Sequence, residues 1–191
     1  MTNPLLDQNG LPPFSKIKPE HVKPAIETLL AESRELVEQL LQQNSRYGWD
    51  NLVEPLDAMD DRINRAWSPV SHMNSVVNSE ALRNAYNECL PILSEYGTEM
   101  GQHEGLYRAY RQIADGDEYQ RLDTAQKKVI DNTLRDFRLS GIELEQAARD
   151  RYKAIQQELS RLTSQYSDNV LDATNGWHKQ LTDESLLAGL P

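Results

Sequence analysis

The sequence contains a single cysteine, Cys89, and no apolar run long enough to cross a membrane. One cysteine cannot close an intramolecular disulfide, so we expect the chain to stay in the reducing cytoplasm. A membrane span needs about 20 apolar residues, which this chain nowhere supplies. Residues 1–10 have neither the basic start nor the apolar stretch of a secretory leader. These absences argue against secretion and against a membrane partner.

Basic side chains are also scarce relative to acidic ones. The 191 residues include 20 Lys and Arg against 30 Asp and Glu, which gives a formal net charge of −10. A surface with this charge repels phosphate backbones, so we expect no nucleic-acid partner. The hydrophobic fraction of 38% is ordinary for a folded protein and too high for a disordered one. We expect one large domain or two small ones with a substantial core.

Motifs that carry catalysis or metal binding are missing as well. His103-Glu104 begins the helical zinc pattern His-Glu-x-x-His, but Tyr107 stands where the second histidine is required. We therefore interpret His103 as a helix-start or surface residue. The sequence has no Gly-rich phosphate loop and no Gly-x-Ser-x-Gly elbow. The residues themselves predict no catalytic, cofactor-binding or metal-binding site.

Three carboxylates lie near one face of a predicted helix, at Asp57, Asp60 and Asp61. Paired carboxylates can exchange protons when a pocket removes water from one of them. Nothing in their spacing indicates a pocket, so we interpret them as a solvated surface. The aromatic side chains either line a peptide groove or lie in the core and at its edge. They are Tyr47, Trp49, Trp67, Tyr86, Tyr96, Tyr107 and Tyr110.

Apolar residues recur at steps of three and four along most of the chain, which predicts an all-α protein. The first long helix is predicted to end near Gln43. Because proline removes a backbone hydrogen bond, Pro24 predicts a separate short turn at Pro19–Val22 before this helix. Pro69 and Pro91 are likewise expected to bend, split or interrupt the helices in which they fall.

Capping residues mark the helix boundaries. Ser79 precedes one apolar series as an N-cap, and Asp123 with Gln126 resembles a capping box. Ser140-Gly141 is predicted to end the helix that Asp123 begins.

The clearest periodicity belongs to a predicted helix from Glu143 to Asp172, which would be ~45 Å long. Seven apolar residues occupy its heptad-like positions: Ala148, Tyr152, Ile155, Leu159, Leu162, Tyr166 and Val170. Such a seam beside other amphipathic helices favours an intramolecular bundle over an isolated coiled coil. We therefore expect long amphipathic helices packed as an antiparallel helical array.

Three segments are predicted along the chain. Residues 1–18 form an extended N-terminal lead-in, because prolines and an Asn-Gly pair disfavour helix there. Residues 19–174 form the helical domain. Residues 175–191 begin with a turn, include a possible short strand near 177–181 and start a further element. We expect that element to continue beyond Pro191.

Ordered strings along the whole chain resemble the N-terminal region of the thimet oligopeptidase family of zinc metallopeptidases. They include LPPFSKIKPEHVKPA at 11–25, WSPVSHMNSV at 67–76, LSEY at 93–96, GQHEGLY at 101–107, TAQKK at 124–128, RDFRLSGI at 135–142 and QYSDNVLDAT at 165–174. The match covers essentially all 191 residues.

The resemblance implies a non-catalytic domain of a larger cytoplasmic hydrolase. In the family, the zinc motif His-Glu-Phe-Gly-His lies far downstream; it is absent here, so no zinc ligand or catalytic residue is carried over. Zinc is then a cofactor of the full-length enzyme and not of this chain. The helices would form a wall of a channel that admits oligopeptides, including signal-peptide remnants. The partners implied are those peptides and the missing C-terminal catalytic domain.

The alternative is a free-standing helical module that binds a protein partner through an apolar groove. The two hypotheses differ in the gene sequence beyond Pro191. A reading frame that continues to His-Glu-x-x-His would indicate the peptidase, and a stop codon with a defined protein partner would indicate the module.

Overall fold

The computed structural model of the chain describes residues 3–189, apart from the side chain of Glu184. This part of the chain contains seven α-helices and no β-strand, which confirms the all-α prediction. The helices are α1 Pro19–Gln43, α2 Glu54–Val76, α3 Glu80–Gly101, α4 Glu104–Asp115, α5 Asp117–Arg121, α6 Thr124–Leu139 and α7 Gln146–Gly176. Short turns of 3₁₀ helix occupy Phe14–Lys16 and Glu184–Leu187, and a π-helical turn occupies Trp49–Val53.

The long helices run through their prolines. Helix α1 is continuous across Pro24, so the predicted separate turn at Pro19–Val22 is wrong. Helices α2 and α3 likewise continue through Pro69 and Pro91 and are not split. Each proline removes only one hydrogen bond, to the carbonyl four residues earlier. For Pro24 that carbonyl belongs to Glu20, which is exposed in the first turn, so water can replace the lost donor.

The predicted caps are present. The Ser79 hydroxyl accepts a hydrogen bond from the Leu82 N–H at 3.3 Å at the start of α3. The Asp123 carboxylate accepts from the Gln126 N–H at 2.8 Å, and the Gln126 side chain accepts from the Asp123 N–H at 3.0 Å. This reciprocal pair is the predicted capping box of α6. Gly141, with φ +88°, follows α6 and lets the chain reverse in the left-handed region.

Helix α1 contributes to two hydrophobic clusters. The first lies between the N-terminal half of α1, α2 and α3, and the second lies between the C-terminal half of α1, the Trp49–Val53 turn, α4 and α6. In the first cluster, the α1 members are Val22, Ala25, Ile26, Leu29 and Leu30. In the second, α1 supplies Val37, with Leu40 and Leu41 at the edge. One helix therefore connects both cores.

The direction of neighbouring helices follows from their ion pairs. Lys23 pairs with Glu88 at 3.3 Å and Arg34 pairs with Glu99 at 2.6 Å, so the residue numbers on α1 and α3 rise together. These two helices are parallel, with α2 packed against both of them. Helix α7 also packs on α3. It is antiparallel to α3, because Arg83 pairs with Asp172 and Glu95 pairs with Lys153, so the residue numbers fall on one helix as they rise on the other.

The segment after α7 is not a strand. Residues 177–183 are exposed and have no regular structure, so the predicted short strand at 177–181 is wrong. A strand needs a neighbour to satisfy its backbone groups, and no strand is present within residues 3–189. The Asp183 carboxylate accepts from the Ser185 N–H at 3.0 Å and begins the final 3₁₀ turn. The predicted continuation at Leu190 and Pro191 lies outside the described residues.

Truncation of a core residue of α1 tests this architecture. Leu29 is fully buried, so Leu29→Ala is expected to lower the free energy of unfolding by about 3 kcal/mol. Leu139→Ala is the control, because Leu139 is 69% exposed on α6 and should change stability by less than ~0.5 kcal/mol. Urea unfolding followed by tryptophan fluorescence measures both. Equal losses for the two variants would contradict the assigned burial.

Candidate interaction surface

Polar side chains connect α3 and α7 at several points. Arg83 on α3 donates two hydrogen bonds to the carboxylate of Asp172 on α7, at 2.8 and 2.7 Å. Its guanidinium also lies 3.6 Å from Asp168. On the same two helices, Asn87 donates to Asp168 at 3.2 Å and accepts from the Ser164 hydroxyl at 2.7 Å. We call this set of contacts the polar seam.

The polar seam extends along α7 to its N-terminal end. Lys153 donates to Glu95 on α3 at 2.6 Å. Arg149, near the start of α7, pairs with Glu104 on α4 at 3.1 Å and also donates to the Ile142 carbonyl. Low numbers on α7 thus meet high numbers on α3, which establishes their antiparallel direction.

Electrostatic contacts favour the charged forms of the groups in the seam. The hydrogen bond from Arg83 lowers the pKa of Asp172, and the same contact raises the pKa of Arg83. The hydrogen bond from Lys153 lowers the pKa of Glu95. Asp172, Glu95 and Arg83 are therefore ionised at neutral pH, when the seam has its full strength.

The opposite face of α7 is apolar and uncovered. Five of its large side chains are exposed: Ile155 at 42%, Leu159 at 51%, Leu162 at 45%, Tyr166 at 72% and Val170 at 48%. We call these five residues the α7 stripe. They are five of the seven predicted heptad positions. Helix α7 does pack within the chain, but through its other face, so the expectation that these apolar residues form the seam of the bundle is wrong. No residue of α7 is buried in the described part of the chain.

The energetic weight of the α7 stripe is large. Covering a Leu, Ile or Val side chain stabilises a protein by about 1.5–3 kcal/mol. From Ile155 to Val170 the stripe is ~22 Å long, and its apolar side chains lie along one side of a rigid helix. A continuous apolar patch on a folded domain is typical of a protein interface. The stripe is therefore the strongest candidate for an interaction surface.

The predicted aromatic residues divide between the core and a groove. Trp67 and Tyr86 stack with their ring centroids 4.8 Å apart at the edge of the first cluster. Tyr107 and Tyr110 each contact the ring of Phe137 in the second cluster, with centroids 5.7 and 5.9 Å apart. Tyr96 and Tyr110 also border a cavity, whereas the predicted peptide groove stays a prediction.

A groove with a volume of about 220 Å³ lies between the two clusters, at the meeting point of α1, α2, α3, α4 and α6. We call it the central groove. Tyr96, Tyr110 and Phe137 line it, together with Asp60. Although much of Asp60 faces solvent, its carboxyl group is partly desolvated at the groove, and this, with the charge of Asp57, raises its pKa.

The three carboxylates singled out in the sequence thus differ in their surroundings. Asp61 pairs with Arg65 one helical turn away at 2.7 Å on the surface of α2. Asp60 instead borders the central groove, which its spacing in the sequence did not indicate. The spacing of the three carboxylates could not reveal the groove, because the other walls of the groove come from helices far away along the chain.

Residues 3–189 offer no ligand set for a metal. His103 caps α4, where its Nδ1 accepts from the Leu106 N–H at 3.2 Å, as its predicted position at a helix start requires. No group of three or more His, Cys, Asp or Glu side chains in the described residues could hold an ion, so they do not fit the zinc implied by the resemblance.

Cys89 is buried in the first cluster, and burial raises the pKa of its thiol to about 11, so it stays protonated at neutral pH. None of the helices in residues 3–189 has the length and apolar character to cross a bilayer.

The sequence contained a signal for the orientation of α7. Polar residues at Arg149, Lys153, Ser164 and Asp168 have separations of 4, 11 and 4 residues, which place them on one face of a helix. The contacts of the polar seam are made by these residues. A long helix with two periodic faces can dock through either of them, and here the rule that apolar faces turn inward selects the wrong one.

The sequence of this chain is similar to those of known proteins. The family model described as the N-terminal domain of neurolysin and thimet oligopeptidase matches residues 26–149. The chain is 58% identical to oligopeptidase A of Escherichia coli K12 and 57% identical to that of Salmonella typhimurium, each over all 191 residues. It is 34% identical to the probable cytosolic oligopeptidase A of Arabidopsis thaliana over 190 residues. The chain is covered completely, yet it spans only 28%, 28% and 27% of these relatives.

Removal of one charge from the polar seam should loosen α7. In Arg83→Gln the interhelical bonds to Asp172 are lost, so we expect amide protection factors near residues 164–172 to fall by about two- to fivefold, the range typical of exposed ion pairs. Arg161→Gln is the matched control, because Arg161 pairs with Glu158 within α7. Hydrogen exchange measures both, and equal effects would show that the seam does not fix α7.

Acid should weaken the same contact. The ordinary pKa values are 3.8 for Asp172 and 4.5 for Glu95, and both are lowered in the folded chain. The two ion pairs therefore stabilise docking above those values and lose this effect as the pH falls through the lowered ones. We expect the protection factors of α7 to be unchanged from pH 7 to about 5 and to fall below about pH 4. Protection of α1 serves as the control, and a parallel fall there would indicate global unfolding.

Proposed function

The chain belongs to the neurolysin and thimet oligopeptidase family, as its N-terminal domain, and from this membership we propose that it is the non-catalytic, architectural part of a larger zinc endopeptidase. The relatives are more than three times as long as this chain, so most of their length, including a catalytic part, would lie outside the matched region. The family's zinc would be held outside this chain, because the described residues offer no ligand set.

The observation that carries the proposal is the α7 stripe. A domain that folds around two cores and still leaves Leu159 and Leu162 half exposed has an unused apolar surface. We propose that the catalytic remainder of the polypeptide covers this surface. The polar seam supports the proposal, because it turns the apolar face outward and holds α7 in place for docking.

The helices would then form one wall of a channel that admits oligopeptides. Helices α1, α2 and α3 have 25, 23 and 22 residues, and α7 alone is ~45 Å long, so they make a stiff surface. The names of the relatives indicate oligopeptides as substrates, and we propose the same class here, including signal-peptide remnants, for a cytoplasmic enzyme. Shape and selectivity, and not bond cleavage, would be the contribution of this chain.

We propose the corresponding division of the chain. Residues 1–18 would be the lead-in, residues 19–174 the wall-forming domain and residues 175–191 the connection toward the catalytic part. The exposed, irregular course of residues 177–183 supports a connecting role, because nothing in the described residues packs over it.

A double substitution in the α7 stripe tests whether the catalytic part covers these residues or leaves them exposed to solvent. In the full-length protein, Leu159→Ala with Leu162→Ala is expected to lower the melting temperature by several degrees and to reduce cleavage of a fluorogenic oligopeptide, since each buried Leu contributes about 2–5 kcal/mol. In the 191-residue chain alone the same pair should shift the melting temperature by no more than ~2 °C, because both side chains are already exposed.

The control is Leu139→Ala, which shortens an exposed leucine on α6 away from the stripe. If the double variant behaves like this control in the full-length protein, the stripe is not the surface that meets the catalytic part. A free-standing module makes a different prediction, namely that the stripe captures a separate protein and that the gene encodes no catalytic remainder.

A further inference from the structure

The central groove is small and lies wholly within the helices of this chain. Its volume of about 220 Å³ is below the range of roughly 300–1,000 Å³ that is usual for drug-sized ligands. It therefore has room for one side chain or one small organic ion. Its position is independent of the α7 stripe, since no residue of α7 lines it.

Tyr110 brings an unused polar group to this groove. Its side chain is only 7% exposed, yet its hydroxyl has no hydrogen-bond partner among residues 3–189. Tyr96, the other tyrosine in the lining, is already engaged, because its hydroxyl shares a hydrogen bond with Ser33 at 2.6 Å. Burial and the negative charges of Asp60 and Asp57 raise the pKa of Tyr110 far above its usual value, so the hydroxyl is neutral.

The charge in the groove is unbalanced. Asp60 makes no ion pair with any described residue, and Asp57 adds a second negative charge close by. Asp136, also in the lining, pairs with Arg135 at 2.8 Å at the surface. Arg34 lies over the ring of Tyr96 at 5.4 Å but is neutralised by Glu99.

The remaining walls are aromatic and apolar. The rings of Tyr96, Tyr110 and Phe137 present π-systems, and Leu56 and Met100 add apolar surface. Aromatic faces attract organic cations, and arginine-type groups do so most often because their planar ends stack on rings. A carboxylate together with a free hydroxyl oxygen supplies acceptors for the several N–H donors of such a group.

We propose that the central groove binds one alkylguanidinium group, the chemistry of an arginine side chain. Its N–H groups would donate to the Asp60 carboxylate and the Tyr110 hydroxyl, and its planar end would lie against the aromatic lining. The alkyl part would contact Leu56 and Met100. Binding would displace water from the Asp60 carboxylate, which makes no ion pair with a described residue, and from the Tyr110 hydroxyl, which has no hydrogen-bond partner among them.

The probe for this site is butylguanidine, with butylurea as a neutral molecule of nearly the same shape. Titration of the ¹⁵N-labelled 191-residue chain, followed by NMR, should give saturable shifts on the residues that line the groove. We expect butylurea to bind about tenfold more weakly, because hydrogen bonds to a charged group exceed neutral ones by roughly that factor. Binding of butylurea within about twofold of butylguanidine would overturn the assignment.

Three variants test the residues. Asp60→Asn should weaken butylguanidine binding about tenfold and Tyr110→Phe about threefold, since they remove a charged acceptor and a neutral one. Asp61→Asn is the matched control: it removes the same charge one residue away, where Asp61 is already paired with Arg65, and should leave affinity unchanged.

Each variant's spectrum reports its fold independently of binding. A well-dispersed Asp60→Asn spectrum with undiminished affinity would sink the proposal, as would equal weakening by Asp61→Asn, which would reveal only a general effect of net charge. An N-acetyl-lysine amide that binds as tightly as N-acetyl-arginine amide would also contradict it, because a lysine ammonium lacks the planar fork.

Discussion

The structure depends on how α7 is attached. Charged and amide groups hold it to α3, with Arg83 and Asp172 at one end and Lys153 and Glu95 at the other. Because directional hydrogen bonds fix both the register and the rotation of a helix, the apolar residues of α7 have only one direction left, toward solvent. The open surface is therefore a consequence of the polar contact, and the two faces of the helix are parts of one arrangement.

Most of the fold could be predicted from the sequence because it rests on local rules. The all-α class, the caps at Ser79 and Asp123 and the glycine after α6 each follow from short-range chemistry. The predictions at the prolines were wrong because the loss of one hydrogen bond costs little free energy compared with the gain from burying a whole helix face. Pro69 is itself buried in α2, so its ring adds to the apolar contact there.

The functional surfaces were harder to predict. The periodicity of the α7 stripe was visible, but the assumption that apolar residues face inward assigned these residues to the wrong side. The central groove escaped detection because Asp60, Tyr96 and Tyr110 come together only through tertiary packing. The resemblance to a known family supplied what periodicity could not, namely relatives more than three times as long as this chain.

Helix α1 has a mechanical consequence. Since it contributes side chains to both cores, a bend at its middle would open Leu29 and Val37 to water at the same time. The two cores thus oppose such a bend together, because α1 supplies side chains to each of them. Bending of this helix would therefore cost apolar burial in two places at once, and not in one.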